Sequence, residues 1–413
     1  MKVWILNHYA VPMKLFPHAR PHYFAKLLQG KGHEVTVFAA SSVHNSDVNL
    51  ITEKTPYIEQ LDEGVRYVFL RASSYTGNGK SRIINMFQYF KGMLACAKNF
   101  SPPEAIVAMS VHPLACVAGI ILAKKYKCKC VVDIADLWPE SFVSFGIVKA
   151  DNPILKLLYA GERWIYKKAD AVIFSMEGGA QYIKDKGWDK QIPLSKVYHI
   201  NNGVDLKQFD TNRDLHQIED ADLIRTDCFK VVYTGSIRQT TSLKSLVKAA
   251  EKLKESNLLF LIYGDGDERE QLETYCKENH VDNVKFKGRI DKKYVPYVLS
   301  KSNLNVINVQ PTEAWMKYGS SENKLFEYLA SGKPICANVK PSFSVVEKYD
   351  CGIEKNVFDE QEYAELIRQI VELDDERYTQ LCNNAREAAG EYDFNILVDK
   401  LEQIIFSVCQ QKR

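Results

Sequence analysis

The 413-residue sequence has no apolar run that approaches the roughly 20 residues needed for a helix that spans a bilayer. Its first residues, Met1–Leu6, lack the basic, apolar and small-residue segments of a secretory signal peptide. Its glycines and prolines form no low-complexity segment and no short repeat. We therefore expect a folded cytoplasmic protein that can rest on the inner face of the cell membrane without crossing it.

Metal-ligand spacing is also missing, although ten cysteines are present. Most of them lie in apolar runs, for example Cys96, Cys116 and Cys336, which is typical of buried thiols in a reducing compartment. Cys128 and Cys130 share one face of a predicted strand, but no second Cys or His pair with zinc-ligand spacing accompanies them. We predict no metal site and no cofactor.

No Gly-x-Gly-x-x-Gly motif follows the first predicted strand, so a nicotinamide-dependent dehydrogenase is set aside. What the sequence does have is an uneven charge. Residues 1–205 contain 25 Lys and Arg against 17 Asp and Glu, a net charge of +8. Residues 206–413 contain 29 against 35, a net charge of −6. The first half is therefore expected to face an anionic surface or ligand, and we predict no nucleic-acid partner.

Short apolar segments alternate with segments of helical spacing in two successive sets. Lys2–Asn7, Ala19–Gly30 and Glu34–Ala39 predict a strand, a helix and a parallel strand, and Phe229–Thr234 begins the second set. An apolar content of 46% is typical of a globular protein, and a chain of 413 residues is longer than a domain with a single hydrophobic core usually is. We predict the α/β class with two doubly wound, Rossmann-like domains. The predicted boundaries are a first domain at 1–205, a linker at 206–227, a second domain at 228–395 and a final amphipathic helix at 396–413.

The most informative segment is Glu322–Pro334, in which a polar stretch leads into a short apolar helix. Backbone N–H groups at a helix start form an anion site. Glu327 stands one turn further in, where a carboxylate is placed to hold a ribose diol. A pyrophosphate at the helix start and a ribose on the next turn would form a nucleotide-sugar site. The alternative is an ordinary helix after a polar loop.

Residues that follow predicted strands are further site candidates, because doubly wound sheets bind ligands beyond the carboxyl ends of their strands. In the second half, Gly235 lets backbone approach a phosphate, and Arg238 can donate charge-assisted hydrogen bonds to a diphosphate. Gly264 opens a Gly-Asp-Gly turn, which alone is a weak signal.

In the first half, four residues lie after predicted strands or in the loop behind the first one. His8 follows the first strand, and His18 and Arg20 lie in the long loop after it. His112 ends a later strand just before a helix, where it can hydrogen-bond a sugar hydroxyl or a reacting centre.

Asp136 and Trp138 follow the next predicted strand. A carboxylate within hydrogen-bond reach of an acceptor hydroxyl can orient or deprotonate it. The alternative is that Asp136 caps a helix and that Trp138 belongs to the core. The sequence leaves these two interpretations open.

Three segments resemble retaining glycosyltransferases of the fourth glycosyltransferase family, which have the GT-B fold: Asn323–Pro334, Asp136–Ser141 and Asn202–Asp205. The Asp-Leu-Trp-Pro-Glu-Ser sequence at Asp136–Ser141 is similar to that of bacterial aminosugar transferases that build O-antigen and capsule. The resemblance covers nearly the whole chain. It implies two Rossmann-like domains that face each other across a cleft, with the last helix crossing back to the first domain.

The resemblance also implies an activity and a set of site residues. The expected enzyme moves a hexosyl or N-acetylhexosaminyl group from a UDP-sugar to a glycan or a polyprenyl-diphosphate-linked glycan in surface polysaccharide synthesis. It retains the anomeric configuration and uses no metal ion. The implied catalytic residues are His112, Asp136 and Arg238. The implied donor-binding residues are Gly235, Arg238, Gly264, Arg289, Ile290, Ser320, Ser321, Asn323, Lys324, Leu325 and Glu327. The implied acceptor-binding residues are His8, His18, Arg20 and Trp138.

The sequence departs from the family pattern at two places in its second half. The first of the family's two spaced glutamates is replaced by Gly319, whereas the second is kept as Glu327. Thr241-Ser242 stand where a Lys-Gly pair is usual, so Arg238 is expected to supply the lost charge. These departures favour one rival, a non-catalytic sugar-nucleotide-binding or scaffold subunit. The shared fold leaves a second rival, a UDP-aminosugar 2-epimerase.

Two segments of the first half, Phe87–Phe100 and Phe142–Tyr166, mix aromatic, aliphatic and basic residues. Interfacial helices have that composition, and so do ordinary amphipathic core helices. Together with the positive charge of this half, the composition favours a peripheral membrane contact that would serve a lipid-linked acceptor.

Overall fold

A computed structural model describes residues 1–13, 15, 19–44, 46–77, 79–144, 146, 148–149, 151–310 and 312–411. The chain forms two compact units, Met1–Asn201 together with Phe394–Arg413, and Asn202–Asp393. Among the helices of the described residues, none combines the length and the apolar character that a membrane span requires.

The first unit is built on one eight-stranded sheet. Its strands are β1 (Lys2–Leu6), β2 (Glu34–Ala40), β3 (Tyr57–Asp62), β4 (Val65–Leu70), β5 (Ala105–Ser110), β6 (Lys129–Ile134), β7 (Ala171–Phe174) and β8 (Val197–His199). Its helices are α1 (Ala19–Gly30), α2 (Lys80–Cys96), α3 (Pro113–Tyr126), α4 (Trp138–Ser144), α5 (Pro153–Lys168), α6 (Gly179–Asp185) and α16 (Phe394–Gln410). The strand order is β3-β4-β2-β1-β5-β6-β7-β8, and all neighbours run parallel except the antiparallel hairpin β3–β4.

Both faces of this sheet are covered by helices, which explains its near-continuous apolar strands. Val3 and Ile5 of β1 share a core with residues of α1 and α16. Trp4, which points to the opposite face, contacts Tyr126 of α3 with ring centroids 5.5 Å apart. The final helix α16 buries Leu397 and other apolar residues of one stripe in the first of these cores.

The second unit is built on a six-stranded parallel sheet. Its strands are β9 (Phe229–Thr234), β10 (Leu258–Tyr263), β11 (Val284–Gly288), β12 (Leu304–Ile307), β13 (Ile335–Ala337) and β14 (Gly352–Glu354). Its helices are α7 (Leu206–Leu215), α8 (Leu243–Lys252), α9 (Arg269–Glu278), α10 (Val295–Ser300), α11 (Glu313–Tyr318), α12 (Asn323–Ala330), α13 (Val345–Lys348), α14 (Glu360–Val371) and α15 (Asp375–Glu391). The strand order is β11-β10-β9-β12-β13-β14.

The acidic segment 206–227, for which the sequence predicts a linker, is structured in the second unit. It begins with helix α7, and Leu223 is fully buried in the core. Asp220 accepts hydrogen bonds from Lys287 Nζ and from the Tyr263 hydroxyl, both at 2.7 Å. Asp220 therefore has partners on two strands of the sheet, and the boundary between the units lies at Asn201–Asn202.

Candidate active site

In the second unit the strand order reverses at β9, which lies between β10 and β12. Sheets of this kind bind ligands beyond the carboxyl ends of the strands at such a switch point. The chain leaves β9 through Gly235, whose φ of +145° is rarely open to L-residues. The Gly235 N–H donates to the Tyr263 carbonyl at 3.0 Å, so the loop after β9 is fixed to the end of β10.

The loops after β9, β10 and β11 are in direct backbone contact. A Cβ atom on Gly264 would lie 1.8 Å from the carbonyl oxygen of Gly235, so only glycine fits at this position. The Gly264 N–H donates to the Gly288 carbonyl at 2.8 Å. Glycine at position 264 is therefore needed for the close packing of the loops after β9 and β10.

Lys324, near the start of α12, brings a positive charge to this loop. Its Nζ donates to the Tyr233 hydroxyl at 3.0 Å and lies 4.4 Å from the centroid of that ring. A Cβ atom on Gly235 would lie 3.0 Å from Nζ, so the ammonium rests against the backbone after β9. Burial lowers the pKa of Lys324, but the neighbouring phenol groups and Glu322 outweigh burial and raise this pKa above its usual value. The half-buried side chain is therefore charged at neutral pH.

Tyr328 fixes α12 against β9. The side chain is fully buried, and its hydroxyl accepts a hydrogen bond from the Thr234 N–H at 2.9 Å. Phe326 and Leu329 on the same helix are fully buried in the core. The start of the helix, with Asn323 and Lys324, is thereby held beside the loop after β9.

Arg238 lies in the loop that follows Gly235 and is exposed. Its backbone N–H donates to Thr241 Oγ1 at 3.1 Å, and in the described part of the chain its guanidinium has no protein partner. Ser242, at the start of α8, has a φ of +47°, the conformation that a glycine adopts without strain. Asn308 Nδ2 donates to the Ser242 carbonyl at 2.7 Å. Ser242 thus holds a backbone conformation that favours glycine, and the residue before it, Thr241, carries no charge.

Glu327, the predicted ribose ligand, faces a lysine that sequence analysis did not identify. Its side chain is 14% exposed and lies 2.6 Å from Lys292 Nζ, whereas Lys292 is 51% exposed. Lys292 begins a short 3₁₀ turn after β11. An ion pair with so exposed a partner contributes about 0–1 kcal/mol, so a ribose diol can compete for the carboxylate at little cost.

Three predicted donor-binding residues have partners within the second unit. Ser321 Oγ accepts from the Asn202 N–H at 2.7 Å, and the Ser321 carbonyl accepts from Asn202 Nδ2 at 2.7 Å. Ser320 Oγ donates to Glu322 Oε1 at 3.4 Å. The Leu325 side chain is buried in the core, and its N–H donates to the Glu322 carbonyl at 3.0 Å. This geometry favours structural roles for Ser321 and Leu325 over the predicted donor contacts.

The remaining predicted donor residues of the second unit lie at its surface or rim. Arg289 and Asn323 are exposed, and within the described ranges their side chains have no protein hydrogen-bond partner. Ile290, the other residue predicted to contact the base, is half-buried against the core. Arg289 and Asn323 are therefore free to contact a ligand.

Gly319, at the position of the family's first glutamate, has a φ of +81°. A Cβ atom there would lie 3.4 Å from the Cβ of Phe343. Any L-residue would be strained in this conformation. The local backbone, and not the side chain alone, therefore differs from what a glutamate would prefer.

In the first unit the strand order reverses at β1, which lies between β2 and β5. His8 follows β1, His112 follows β5, and both rings are fully buried. His112 Nε2 lies 2.6 Å from His8 Nδ1, and His8 Nε2 lies 2.6 Å from Asn85 Oδ1. Burial lowers the pKa of His112 to about 3 and that of His8 well below its usual value. At neutral pH His112 can therefore accept or donate a hydrogen bond, but it is a weak general base.

Asp136 and Trp138 lie beyond the end of β6. Asp136 is exposed, whereas Trp138 is half-buried and donates from Nε1 to the Val111 carbonyl at 3.0 Å. Both line a cavity of about 30 Å³, enough for one or two water molecules. The indole therefore connects the loop after β6 to the loop after β5, and its N–H group already has a hydrogen-bond acceptor within the protein.

Glu162 of α5 lines the same cavity and was not among the predicted residues. It is buried and accepts hydrogen bonds from the Tyr166 hydroxyl at 2.6 Å and the Tyr182 hydroxyl at 2.8 Å. Burial raises the pKa of Glu162 to about 7 against the opposing effect of these hydroxyls. Its position in an apolar helical pattern gave no sequence signal for this role.

Arg20, predicted to bind the acceptor, is buried in a structural network. Its guanidinium pairs with both oxygens of Asp133, at 2.8 and 3.0 Å. It also donates to the carbonyls of Ile200 and Asn201, at 2.9 and 2.5 Å. This geometry favours a role in joining α1 to β6 over contact with a substrate. His18, the other predicted acceptor residue of this loop, lies outside the described residues.

The chain matches two family models. Residues 21–208 match the Glycosyltransferase Family 4 model, and residues 216–388 match the Glycosyl transferases group 1 model. The two models together cover most of both units.

Two curated relatives are similar in sequence. "Probable glycosyltransferase WbjE" of Pseudomonas aeruginosa is 24% identical over 253 residues, 60% of either chain. TuaH of Bacillus subtilis, named as a teichuronic acid biosynthesis glycosyltransferase, is 25% identical over 223 residues, 53% of this chain and 52% of TuaH. The chain thus spans only between half and two thirds of the length of these relatives.

Solved structures are similar over nearly the whole chain. Sucrose-phosphate synthase from Thermosynechococcus elongatus superposes with a TM-score of 0.73 at 18% identity, over 98% of both chains. HepE from Anabaena, in complex with UDP and glucose, superposes with a TM-score of 0.67 at 14% identity, over 98% of this chain and 100% of HepE. The predicted GT-B fold is thereby confirmed, and each half of the chain matches a glycosyltransferase family model.

Proposed function

We propose that the protein is a retaining, metal-independent glycosyltransferase that uses a UDP-sugar and acts in the synthesis of a surface polysaccharide. The observation that carries this proposal is the contact of Lys324 with the backbone at Gly235, on the helix that also bears Glu327. One helix thus offers a cation for a diphosphate and a carboxylate for a ribose. HepE, which shares the fold, has been solved with UDP and glucose, and TuaH is named for polysaccharide synthesis.

In the proposed reaction the bond from the anomeric carbon to the β-phosphate oxygen breaks. The acceptor hydroxyl oxygen bonds to the same face of that carbon, and its proton passes to the leaving phosphate. Charge on the leaving diphosphate is stabilised by Lys324 and Arg238. Loss of one such donor typically lowers kcat by about two to three orders of magnitude.

The first unit would bind the acceptor. Asp136 is exposed beyond β6, where its carboxylate can orient an acceptor hydroxyl. Because the leaving phosphate takes the proton, Asp136 need not be a strong base. The acceptor class is a glycan or a polyprenyl-diphosphate-linked glycan, and the transferred group is hexosyl or N-acetylhexosaminyl.

A membrane contact by the first unit is supported by exposed apolar residues on helices of one sheet face. On α2, Ile83 and Ile84 are each 54% exposed and Phe87 is 48% exposed. On α5, Ile154 and Leu157 are 62% and 73% exposed. These residues lie in the first half of their helices, so they lie toward the carboxyl edge of the sheet, where the acceptor is proposed to bind.

The charge of the same helices fits an anionic bilayer. Helices α2, α3 and α5 contain nine basic residues and one acidic residue, Glu162, which is buried and bonded to two tyrosines. The basic residues are Lys80, Arg82, Lys91, Lys124, Lys125, Lys156, Arg163, Lys167 and Lys168. Exposed apolar side chains flanked by basic residues are typical of proteins that bind the membrane interface. Each basic residue near an anionic membrane surface adds about 1 kcal/mol to the free energy of binding.

Vesicle co-sedimentation tests this contact. We expect binding to vesicles that contain an anionic phospholipid and little binding to purely zwitterionic vesicles. The double substitution Ile84→Glu, Phe87→Glu should lower binding roughly tenfold or more. Phe406→Glu serves as the matched control, because Phe406 is similarly exposed on α16, which covers the opposite face of the sheet. Equal loss in both variants, or binding independent of lipid charge, would contradict the contact.

Turnover separates the proposed function from its rivals. The protein is incubated with UDP-glucose or UDP-N-acetylglucosamine, with and without a polyprenyl-diphosphate N-acetylglucosamine acceptor and a chelator. A transferase releases UDP only when acceptor is present, and a chelator leaves the rate unchanged. Conversion of the UDP-aminosugar without acceptor would instead support the epimerase. Binding without turnover on any acceptor tried would support the scaffold subunit.

A further inference from the structure

The register between β10 and β11 shifts where these two strands end. Up to that point Ile262 lies opposite Phe286. The next pair is Tyr263 with Gly288, which leaves Lys287 as an extra residue on β11. A bulge of this kind bends its strand and changes the direction of the residues that follow. Gly288, the last residue of β11, has a φ of +76° and begins the turn that leaves the sheet.

Asp220 joins the two strands at this bulge. Its carboxylate accepts hydrogen bonds from Lys287 Nζ and from the Tyr263 hydroxyl, each at 2.7 Å. Lys287 Nζ also donates to Asp222 Oδ2 at 2.7 Å. The side chains of Lys287 and Asp220 are only 18% and 12% exposed. A buried charge that loses its partner is costly, so this pairing holds the extra residue in one position.

The acidic segment that supplies these carboxylates is itself fixed in the second unit. Asp220 Oδ1 accepts a hydrogen bond from the Asp222 N–H at 3.0 Å, and Leu223 is fully buried in the core. Burial raises the pKa of Asp220, but hydrogen bonds from Lys287 and Tyr263 outweigh burial and lower this pKa below its usual value. Asp220 is therefore ionised at neutral pH.

The turn after the bulge ends at the predicted ribose carboxylate. It runs from Gly288 to Lys292, whose Nζ lies 2.6 Å from the Glu327 carboxylate. At its start, the Gly288 carbonyl accepts a hydrogen bond from the Gly264 N–H at 2.8 Å. The turn is thus anchored at the bulge and reaches Glu327 at its other end.

This course places the turn beside the nucleoside of the proposed site. In that site the ribose lies at Glu327 and the diphosphate lies at Lys324. A ribose carries its base and its diphosphate on different carbons, so the base extends away from Lys324. We therefore expect the base to face the turn that reaches Glu327, in which Arg289 is exposed.

We propose that Lys287 and Asp220 are positioning residues that set the course of the turn Gly288–Lys292, and thereby the preference of the donor site for one nucleobase. The nucleobase rests on the proposed function, whereas the anchoring of the turn rests on the geometry of the second unit alone. Neither side chain needs to touch the ligand, because the bulge passes their effect to the backbone of the turn.

The first experiment measures whether the pair holds the turn. Asp220→Asn combined with Lys287→Gln removes both charges and so leaves neither partner as an uncompensated charge. In hydrogen–deuterium exchange read by mass spectrometry, we expect this variant to exchange roughly tenfold faster in peptides that cover residues 259–268 and 284–294. Lys287→Arg keeps the charge and should remain close to the wild type. Unchanged exchange in the double variant would overturn the anchoring.

Two further variants guard this result. Arg377→Met is the matched control, because it breaks an ion pair of the same unit, with Asp350 at 2.6 Å, before β14 at the amino edge of the sheet. It should leave exchange in both peptides unchanged. Tyr263→Phe removes only the hydroxyl group that donates to Asp220, so it gives the same comparison if the double variant loses its fold.

The second experiment links the turn to the nucleobase. Calorimetry gives the dissociation constants of UDP, GDP and inorganic pyrophosphate. We expect the ratio of the GDP constant to the UDP constant to fall roughly three- to tenfold in the double variant, and Lys287→Arg to restore it. Pyrophosphate has no base, so its affinity should change by less than about twofold. Equal losses for all three ligands would show a merely structural role and would overturn the proposal.

The anchoring and the base preference fail separately. An unchanged ratio in a variant whose turn exchanges faster would overturn the role in base preference and leave the anchoring. If the wild-type protein binds neither UDP nor GDP, the base preference fails together with the proposed function. Hydrogen exchange then still decides whether Lys287 and Asp220 hold the turn.

Discussion

Replacing Lys324 by methionine would remove the positive charge beside Gly235 and keep nearly the same side-chain length. The fold should survive, because α12 is held to β9 by Tyr328 and by buried apolar residues. What is lost is the ammonium that lies against the backbone after β9. In the proposed site, that ammonium donates to the diphosphate.

The expected effect follows from the charge of both partners. A hydrogen bond to a charged group contributes about 1.5–3 kcal/mol, which corresponds to a loss of affinity of roughly 10- to 150-fold. The half-buried position of Lys324 places the effect toward the upper part of this range, since screening by solvent and salt is reduced there. Uridine has no phosphate, so its affinity should change by less than about twofold.

Calorimetric titration of UDP and uridine into both proteins measures the effect. Lys292→Met is the matched control, because Lys292 is exposed and its ammonium pairs with the Glu327 carboxylate. That variant should keep its UDP affinity within about threefold. Wild-type affinity of Lys324→Met for UDP, with circular dichroism showing an intact fold, would refute the phosphate role of Lys324.

Three further predictions concern stability in urea. Gly319→Ala and Gly319→Glu should each lower the free energy of unfolding by about 1–2 kcal/mol, because the new residue must adopt the positive φ of Gly319. A glutamate variant as stable as the wild type would contradict this interpretation of Gly319. Ser242→Gly should raise the free energy of unfolding by about 0.5–1 kcal/mol, because glycine adopts the φ of +47° without the strain that serine has there. A loss of stability in this variant would argue against strain at Ser242. The pKa of Glu162 is about 7 in the folded protein, above its value of 4.5 in the unfolded chain. Between these two values the folded protein binds one more proton than the unfolded chain. The wild type therefore loses stability as the pH rises from about 4.5 to 7. Glu162→Gln cannot titrate, so its stability relative to the wild type should increase by roughly 3 kcal/mol over that range, whereas a pH-independent difference would show that the carboxyl is ionised when folded.

Much of the fold could be predicted from local patterns. The strand and helix near Lys2 and Ala19 agree with the structure to within one residue, since buried parallel strands have continuous apolar sequences. The hairpin β3–β4 was missed, although Glu63-Gly64 marks its turn, where both residues have positive φ. The acidic composition of segment 206–227 predicts a linker, although the structure places this segment in the second unit. Its pairing with Lys287 depends on contacts distant in sequence, which composition does not show.

The candidate site was predicted only in part, because its geometry depends on such distant contacts. Motif resemblance identified Lys324 and Glu327, but nothing in the sequence indicated that Lys324 reaches Gly235 or that Glu327 faces Lys292. The buried pairing of Arg20 with Asp133 could not be predicted, because an arginine at a helix start looks the same in sequence whether it faces a ligand or a carboxylate. Its acceptor role stays a prediction. The retaining mechanism, the metal independence and the sugar class stay predictions.

The most direct test of the account is calorimetric binding of UDP and GDP to the wild type and to Glu327→Ala without divalent metal. The account predicts micromolar UDP binding that exceeds GDP binding and that is weakened roughly tenfold or more when the ribose ligand is removed. Equal UDP affinity in the two proteins, or no nucleotide binding by the wild type, would contradict a nucleotide-sugar site at the end of β9.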